Sequence, residues 1–252
     1  MWDTEFLRQV RQREAAWAMT CFPATGRVLE IGAGAGWQAL CFADRGYDVT
    51  ATDIDDPRYA WDRVFPITAY DGLHLPFPDG HFDVVYSSSV LEHVQDLDGL
   101  CCEMRRVLSP DGVAVHVLPT ASWRWWSNLT QVSEVWPQVR GELNRADLSG
   151  TRKLRAMLAA IWYNALPQRH GEKGNAWTEI YWFSRYRWRF YFRRAGFRVL
   201  RVIPNRLFYT GASLLGSRLH LTIRRHLSYV LGSPSLMYVL EPDRPQPQYS
   251  DD

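Results

Sequence analysis

The run Gly32-Ala33-Gly34-Ala35-Gly36 lies between an apolar stretch, Arg27-Val28-Leu29-Glu30-Ile31, and a helical stretch from Trp37 to Asp44. Glycines at such a junction let the main chain turn sharply and approach a ligand closely. Asp53 closes the next apolar run. A carboxylate there accepts hydrogen bonds from two vicinal hydroxyls, which is what a ribose offers. The expected chemistry is therefore the holding of a nucleoside-bearing cofactor. The dinucleotide fingerprint needs a third glycine where Trp37 stands, and the Gly-Lys-Ser/Thr ending of a phosphate-binding P-loop is absent. An NAD-dependent oxidoreductase stays an alternative on these residues alone. Two histidines are candidates for proton transfer, because histidine titrates near neutral pH. They are His93, in Leu91-Glu92-His93, and His170, in the run from Gln168 to Asn175. His116 sits within an apolar strand and reads as a core residue.

These residues need a scaffold of strands and helices in alternation. Strands are expected at 27–31, 47–52, 66–69, 82–87, 113–118, 197–203 and 236–240. Helices are expected from Phe6 to Met19, from Trp37 to Asp44 and from Leu97 to Leu108, the last ended by Ser109-Pro110-Asp111-Gly112. That order predicts an α/β fold with a doubly wound, seven-stranded, Rossmann-like sheet, mostly parallel with the last strand antiparallel. Two segments interrupt the pattern. One is an aromatic-rich insertion holding Trp123, Trp125, Trp126, Trp136, Trp162, Trp177 and Trp182; the other runs from Pro204 to Ser235. The expected organisation is an N-terminal helix (1–25), a cofactor-binding half (26–119), a Trp-rich substrate cap (120–182), a C-terminal part of the core with an Arg-rich insertion (183–241) and a frayed tail (242–252).

The chain has 252 residues, a formal net charge of +2 and four cysteines without CxxC spacing, which fits a reduced, cytoplasmic protein. It has no signal-peptide pattern and no apolar run near the roughly 18 residues that a membrane span requires. The charge is unevenly placed. From Ile180 to Leu240 there are eleven arginines and no acid. Such a stretch implies an anionic partner.

Taken together, four segments resemble the type-11 branch of the class I S-adenosylmethionine-dependent methyltransferases. They are Val28 to Gly36, Ala51-Thr52-Asp53-Ile54-Asp55, Leu73 to Val85 and Ser89-Val90-Leu91-Glu92-His93-Val94. The resemblance resumes weakly from Phe190 to Phe197. It implies S-adenosyl-L-methionine as cofactor, with its methionine end held by Glu30, Gly32, Ala33, Gly34 and Gly36. It implies that Asp53 takes the ribose hydroxyls and that Ile54 packs on the adenine. Asp71, Gly72 and Leu73 would lie at the adenine edge, Asp71 accepting from the exocyclic amine, while Ser87 and Ser88 would line the methionine side. His93 would stand near the methyl group, and it and His170 are the two candidates for a general base. No metal is expected.

The acceptor is bounded less tightly. The fourth strand ends in Tyr86-Ser87-Ser88-Ser89 and lacks the Asn/Asp-Pro-Pro-Tyr/Phe pattern of enzymes that methylate exocyclic base amines and glutamine amides. The tryptophans offer flat apolar area with one donor each, and the arginines can grip phosphate in a bidentate fashion. O-methylation of an anionic, partly apolar small molecule or lipid-linked saccharide is the expectation. The leucine- and cation-rich stretch from Leu214 to Leu231 makes an anionic membrane surface a second candidate partner. An RNA acceptor ranks lower, because no RNA-binding module is appended; a non-catalytic partner subunit that keeps the cofactor pocket is the remaining alternative.

Overall fold

A computed structural model of the chain describes residues 4–54, 63–131, 139–141, 144, 150–165, 167–210 and 219–243. Asp55, Trp136, the stretch from Leu214 to Arg218 and the tail from residue 244 lie outside the described residues, as does the side chain of Trp162. The chain divides into two units. The first comprises Met1–Leu7, Pro119–Arg185 and Asn205–Ser235, and the second Arg8–Leu118, Tyr186–Pro204 and Leu236–Asp252. The two segments that interrupt the strand–helix alternation thus group together.

The second unit is built on a seven-stranded sheet. Its strands are β1 (Arg27–Ile31), β2 (Asp48–Ile54), β3 (Ile67–Tyr70), β4 (Phe82–Ser88), β5 (Leu108–Pro119), β6 (Phe197–Pro204) and β7 (Ser235–Pro242), in the order β3-β2-β1-β4-β5-β7-β6. β1 runs parallel to β2 and to β4, β2 parallel to β3, and β4 parallel to β5. β7 is antiparallel to β6, from Phe197 opposite Pro242 to Pro204 opposite Leu236. Strand order reverses direction at β1 and β4, which is where ligands of open α/β sheets bind. The expected doubly wound sheet, its strand count and its antiparallel last strand are all present.

Alternation along the strands explains why both faces are covered. Leu29, Ile31, Val85, Ala114, Leu118, Tyr238 and Leu240 feed one core, with the helix Leu97–Val107 and with Trp188, Tyr191 and Phe192. Their neighbours Val28, Val84, Tyr86, Val115, Val117, Met237 and Val239 feed the other, with Ala15 and Ala18 and with Phe42. Successive side chains of a strand point to opposite faces, so each strand serves two cores.

One expectation needs correction. Ser109-Pro110-Asp111-Gly112 was expected to end the helix ahead of a strand at 113–118, yet β5 already starts at Leu108. Phe82 lies opposite Leu108 and Val84 opposite Val113, so the register shifts there. The tetrapeptide is a bulge within the strand: Pro110 and Asp111 are exposed, and proline and glycine are tolerated because the ladder is interrupted.

Helices precede and follow these strands. α1 is Thr4–Ala18, α2 Trp37–Ala43, α3 Leu97–Val107, α4 Ala121–Thr130, α5 Gly150–Ala165, α6 Glu179–Trp182, α7 Arg185–Arg194 and α8 Leu221–Leu231. Asp96 caps α3 by accepting the Gly99 N–H, and Thr120 caps α4 by accepting that of Trp123. Within the first unit, Thr120 N–H donates to the Pro234 carbonyl at 3.0 Å and its hydroxyl to Ser233 at 2.7 Å. Trp126 Nε1 donates to the Leu231 carbonyl at 2.9 Å. The two interrupting segments are therefore joined by backbone-directed bonds. No helix among the described residues is long and apolar enough to cross a membrane, and the four cysteines are free.

Candidate functional site

At the end of β1 the chain enters its glycine turn. The N–H groups of Gly32 and Ala33 both donate to the Thr52 carbonyl, at 2.8 and 3.1 Å, which ties the turn to β2. Gly32 has φ +71°, and a Cβ there would come within 2.3 Å of Val90 Cγ2. Gly36, just before α2, has φ +85°, and its Cβ would meet Phe65 Cβ at 2.6 Å. Both positions need glycine for conformation and for space. The closeness of Gly32 to Val90 brings the turn beside the short 3-10 segment Leu91–His93.

Two carboxylates flank this turn. Glu30 is 2% exposed, and its Oε2 has no hydrogen-bond partner among the described residues. Burial pushes its pKa up to about 8; the Ala39 N–H and the charge of Arg11 oppose this, and Asp53 adds to it. Asp53 accepts the Gly34 N–H through Oδ2 at 2.6 Å and the Ile54 N–H through Oδ1 at 2.8 Å. Both oxygens of Asp53 thus face the glycine turn and the end of β2.

The end of β3 adds the next part. Asp71 Oδ1 accepts the N–H groups of Leu73 and His74 at 2.8 and 2.7 Å, and Oδ2 lies 2.7 Å from His74 Nδ1. These bonds hold the Asp71 carboxyl down to about 2. Gly72 has φ +88°, and the position of its Cβ would be 3.5 Å from Ile54 Cγ2. Ile54 itself is half exposed at 50%, an apolar side chain beside a glycine at the rim. Tyr70 is pushed up to about 12 by burial and by the charges of Asp53 and Asp71. Glu30, Gly32, Gly34, Asp53, Ile54, Asp71 and Gly72 are thus contiguous, along the carboxyl ends of three adjacent parallel strands.

The serines at the end of β4 differ from this picture. Ser87 is fully buried, and its hydroxyl lies 2.8 Å from His116 Nδ1. His116 is stacked on Phe192, and burial pushes it down to about 3. It is a neutral core histidine, as its apolar strand implied. The hydroxyl of Ser87 points into that core instead of lining the turn. Ser88 accepts from Arg11 Nη1 at 2.6 Å and donates to Glu14 Oε2 at 3.3 Å, and Arg11 also reaches Glu14 at 2.9 Å. Gln38 Nε2 donates to the Arg11 carbonyl and to Tyr86 Oη. Arg8 stacks over Trp37 at 4.5 Å. Arg11, Glu14 and Gln38 were not singled out from the sequence. A signal was there: Glu14, 2% exposed, occupies the same i, i+4 stripe of α1 as Val10 and Ala18.

The two histidines are in different units. His93 has a side chain 41% exposed, 3.9 Å from Glu92 Oε1, and its N–H donates to Val90. His170 packs edge-on against Trp123 at 4.8 Å and near Phe183 at 6.1 Å. Its loop is pinned by Glu179, whose Oε1 accepts the N–H groups of His170 and Gly171 at 2.7 Å each.

An unpartnered buried carboxylate oxygen beside a glycine turn fits a ligand with an ammonium group, and Asp53 fits its ribose. Residues 29–116 match a family model described as a methyltransferase domain. The match covers about a third of the chain, the part that holds the glycine turn, Glu30, Asp53 and Asp71. Malonyl-[acyl-carrier protein] O-methyltransferase of Geobacter sulfurreducens is 37% identical over 101 residues, 36% of this chain and 38% of that protein. Demethylmenaquinone methyltransferase of Streptomyces avermitilis is 35% identical over 114 residues, 42% of this chain and 48% of its own length. The matched part thus spans less than half the length of these relatives. The fold as a whole is shared with a solved S-adenosylmethionine-dependent methyltransferase from Aquifex aeolicus. That match has a TM-score of 0.51 at 13% identity, over 92% of this chain and 91% of the other. The family match ends at residue 116, ahead of the tryptophan-rich segment that begins at Pro119, which only the structural match spans.

Proposed function

We propose that the chain is an S-adenosylmethionine-dependent methyltransferase whose acceptor is an anionic, partly apolar small molecule or lipid-linked saccharide, methylated on oxygen. The buried, partnerless Oε2 of Glu30 beside the glycine turn carries the cofactor part of this reading. An ammonium is the group that such an oxygen pairs with best. Bound there, S-adenosylmethionine would supply a methyl carbon made electrophilic by its sulfonium. Glu30 would hold the amino group, and the backbone of Gly32, Ala33, Gly34 and Gly36 would approach the methionine end. Asp53 would take the ribose hydroxyls and Ile54 would cover the adenine. Asp71 would shape the turn at the adenine edge that presents Gly72 and Leu73. Ser88, held by Arg11 and Glu14, would fix α1 beside the methionine side, with the main chain of Ser87 next to it.

With the electrophile activated by the cofactor, the protein has to align the acceptor and keep water away. His93 and His170 are the two candidates to take the acceptor's proton. The tryptophans of the first unit would recognise the apolar part of the acceptor, and the acid-free arginines its charge. One relative is by name an O-methyltransferase and another a C-methyltransferase.

Calorimetric titration with S-adenosylmethionine, S-adenosylhomocysteine and NAD tests the cofactor. Binding of the first two without NAD is expected; binding of NAD alone would replace the reading with a dehydrogenase. Incubation of a cell extract with methyl-labelled cofactor then tests the acceptor. Label should enter the lipid or small-molecule fraction, and label confined to RNA would overturn the acceptor class.

A further inference from the structure

The helix α8 is built the wrong way round for water. Its inward positions are Arg224 and Ser228, 1% and 5% exposed. Arg224 donates to the Phe208 carbonyl at 2.9 Å and to that of Leu219 at 3.1 Å, and its guanidinium lies 4.4 Å over the ring of Phe6. Ser228 donates to the Arg225 carbonyl at 2.7 Å. Leu221, Leu227 and Leu231 are partly buried, but three further large apolar side chains point outward: Ile223 is 50% exposed, Tyr229 58% and Val230 85%. Ile223 and Val230 are seven residues apart, two turns along one row, while Arg225 and Tyr229 form a second row on the far side of Thr222 and His226. Arg225 and His226 are exposed, Arg225 at the edge of the outward arc beside Tyr229, and Arg206 stacks over the Tyr229 ring at 4.6 Å.

We infer that this outward face of α8 docks the protein on an anionic phospholipid surface. Apolar side chains turned outward from a helix whose polar groups are satisfied inside gain by entering an apolar medium. The flanking cations Arg206 and Arg225 lie where lipid phosphates would meet them. The charge selects this occupant over the others. No acid lies between Ile180 and Leu240, so a second copy presenting the same face would bring like charges together. A nucleic acid would use the arginines and Tyr229 but would leave Ile223 and Val230 against a charged backbone. The face is independent of the methyl-transfer reading, and it stands whatever the acceptor proves to be.

The experiment is co-sedimentation of the full chain with vesicles of phosphatidylcholine alone and of phosphatidylcholine mixed with phosphatidylglycerol, at low and high salt. The variants are Val230→Glu, Ile223→Glu and Arg225→Glu, with circular dichroism and a thermal melt to show that each stays folded. The wild type should pellet with the anionic vesicles, less so at high salt. Each variant should lower the partition about tenfold or more without a change in fold. Equal binding to both vesicle types, or anionic binding that Val230→Glu and Ile223→Glu leave intact, would overturn the inference. So would absence of vesicle binding, whether the face instead shifts an RNA oligonucleotide or sustains a concentration-dependent dimer that Val230→Glu breaks.

Discussion

The carboxylate of Asp53 accepts the backbone N–H of Gly34 at 2.6 Å, so the end of β2 is fastened to the glycine turn that leaves β1. Its other oxygen accepts the Ile54 N–H at 2.8 Å. One side chain therefore shapes the turn at the position where the proposed cofactor's ribose would lie. Asp53→Ala is expected to weaken S-adenosylmethionine binding by ~1–3 kcal/mol, through lost hydroxyl contacts and stranded N–H donors. Asp53→Asn keeps one carbonyl oxygen but turns an amide donor toward the second N–H, so it should recover only part of the affinity. Calorimetry on the two variants separates these contributions, and unchanged affinity in both would remove Asp53 from the site.

Glu30 predicts a proton linkage. With its pKa raised to about 8 by burial, the carboxyl is protonated in the free protein at pH 6.5 to 7. Pairing with an ammonium favours the ionised form, so binding should release close to one proton in that range. Titrations in two buffers of different ionisation enthalpy measure the release directly, and Glu30→Gln should abolish it. Stability of the unliganded chain follows the same sign. The unfolded chain ionises Glu30 near its ordinary value of 4.5, whereas the folded chain keeps the proton to about 8. The folded form accordingly loses stability as pH rises from about 4.5 to about 8, and Glu30→Gln should flatten that slope. A slope unchanged by the substitution would place the linked proton elsewhere.

How much of this could be seen in the residues beforehand depends on the range of the forces involved. The strands were legible because their apolar runs are local, and Gly32 to Gly36 was legible because a strained turn demands one residue type. Bonds made across the chain were not. Ser109-Pro110-Asp111-Gly112 carries every local mark of a turn, and only the pairing of β5 with β4 makes it a bulge. Ser87 and Ser88 look alike in sequence, yet the pleat sends one hydroxyl to His116 and the other to Arg11 and Glu14. The grouping of the two interrupting segments rests on Thr120 and Trp126 reaching Ser233, Pro234 and Leu231, more than a hundred residues away. No periodicity records such contacts.

Gly32→Ala tests the turn without touching a charge. The position has φ +71°, and the added methyl would lie 2.3 Å from Val90 Cγ2. Strain of the backbone alone costs about 1–3 kcal/mol, and displacement of Val90 adds to it. The melting temperature should fall, and S-adenosylmethionine binding should fall further than stability does, because the displaced valine adjoins Leu91–His93. Val90→Ala in the same chain removes the two γ-methyl clashes, leaving a 3.2 Å contact with Cβ and the φ penalty, so the double variant should recover part of the loss. No recovery would show that the conformation, and not the close approach, sets the need for glycine.

The last prediction concerns the loop that carries His170. Arg124 Nε lies 2.8 Å from Glu179 Oε2, and the two side chains are 5% and 0% exposed. Arg124 also donates to the carbonyls of Ala176, at 3.1 Å, and of Gln168, while Glu179 Oε1 accepts the N–H groups of His170 and Gly171. The pair closes a ring of bonds around residues 168–179. Glu179→Gln preserves an oxygen for the two N–H donors but leaves the Arg124 charge buried alone. Removal of one partner of a buried ion pair costs about 3–5 kcal/mol, most of it the penalty on the charge that remains. Urea unfolding should show that loss, and amide exchange should quicken at His170 and Gly171. Arg124→Met combined with Glu179→Leu removes both charges, so the pair should cost less than the two single losses added together. Amide exchange at His170 should nevertheless stay fast in the double variant, since leucine offers no acceptor. Full additivity would mean that the two side chains act separately, and that the loop is held by Asn175 and Thr178 through their own local bonds.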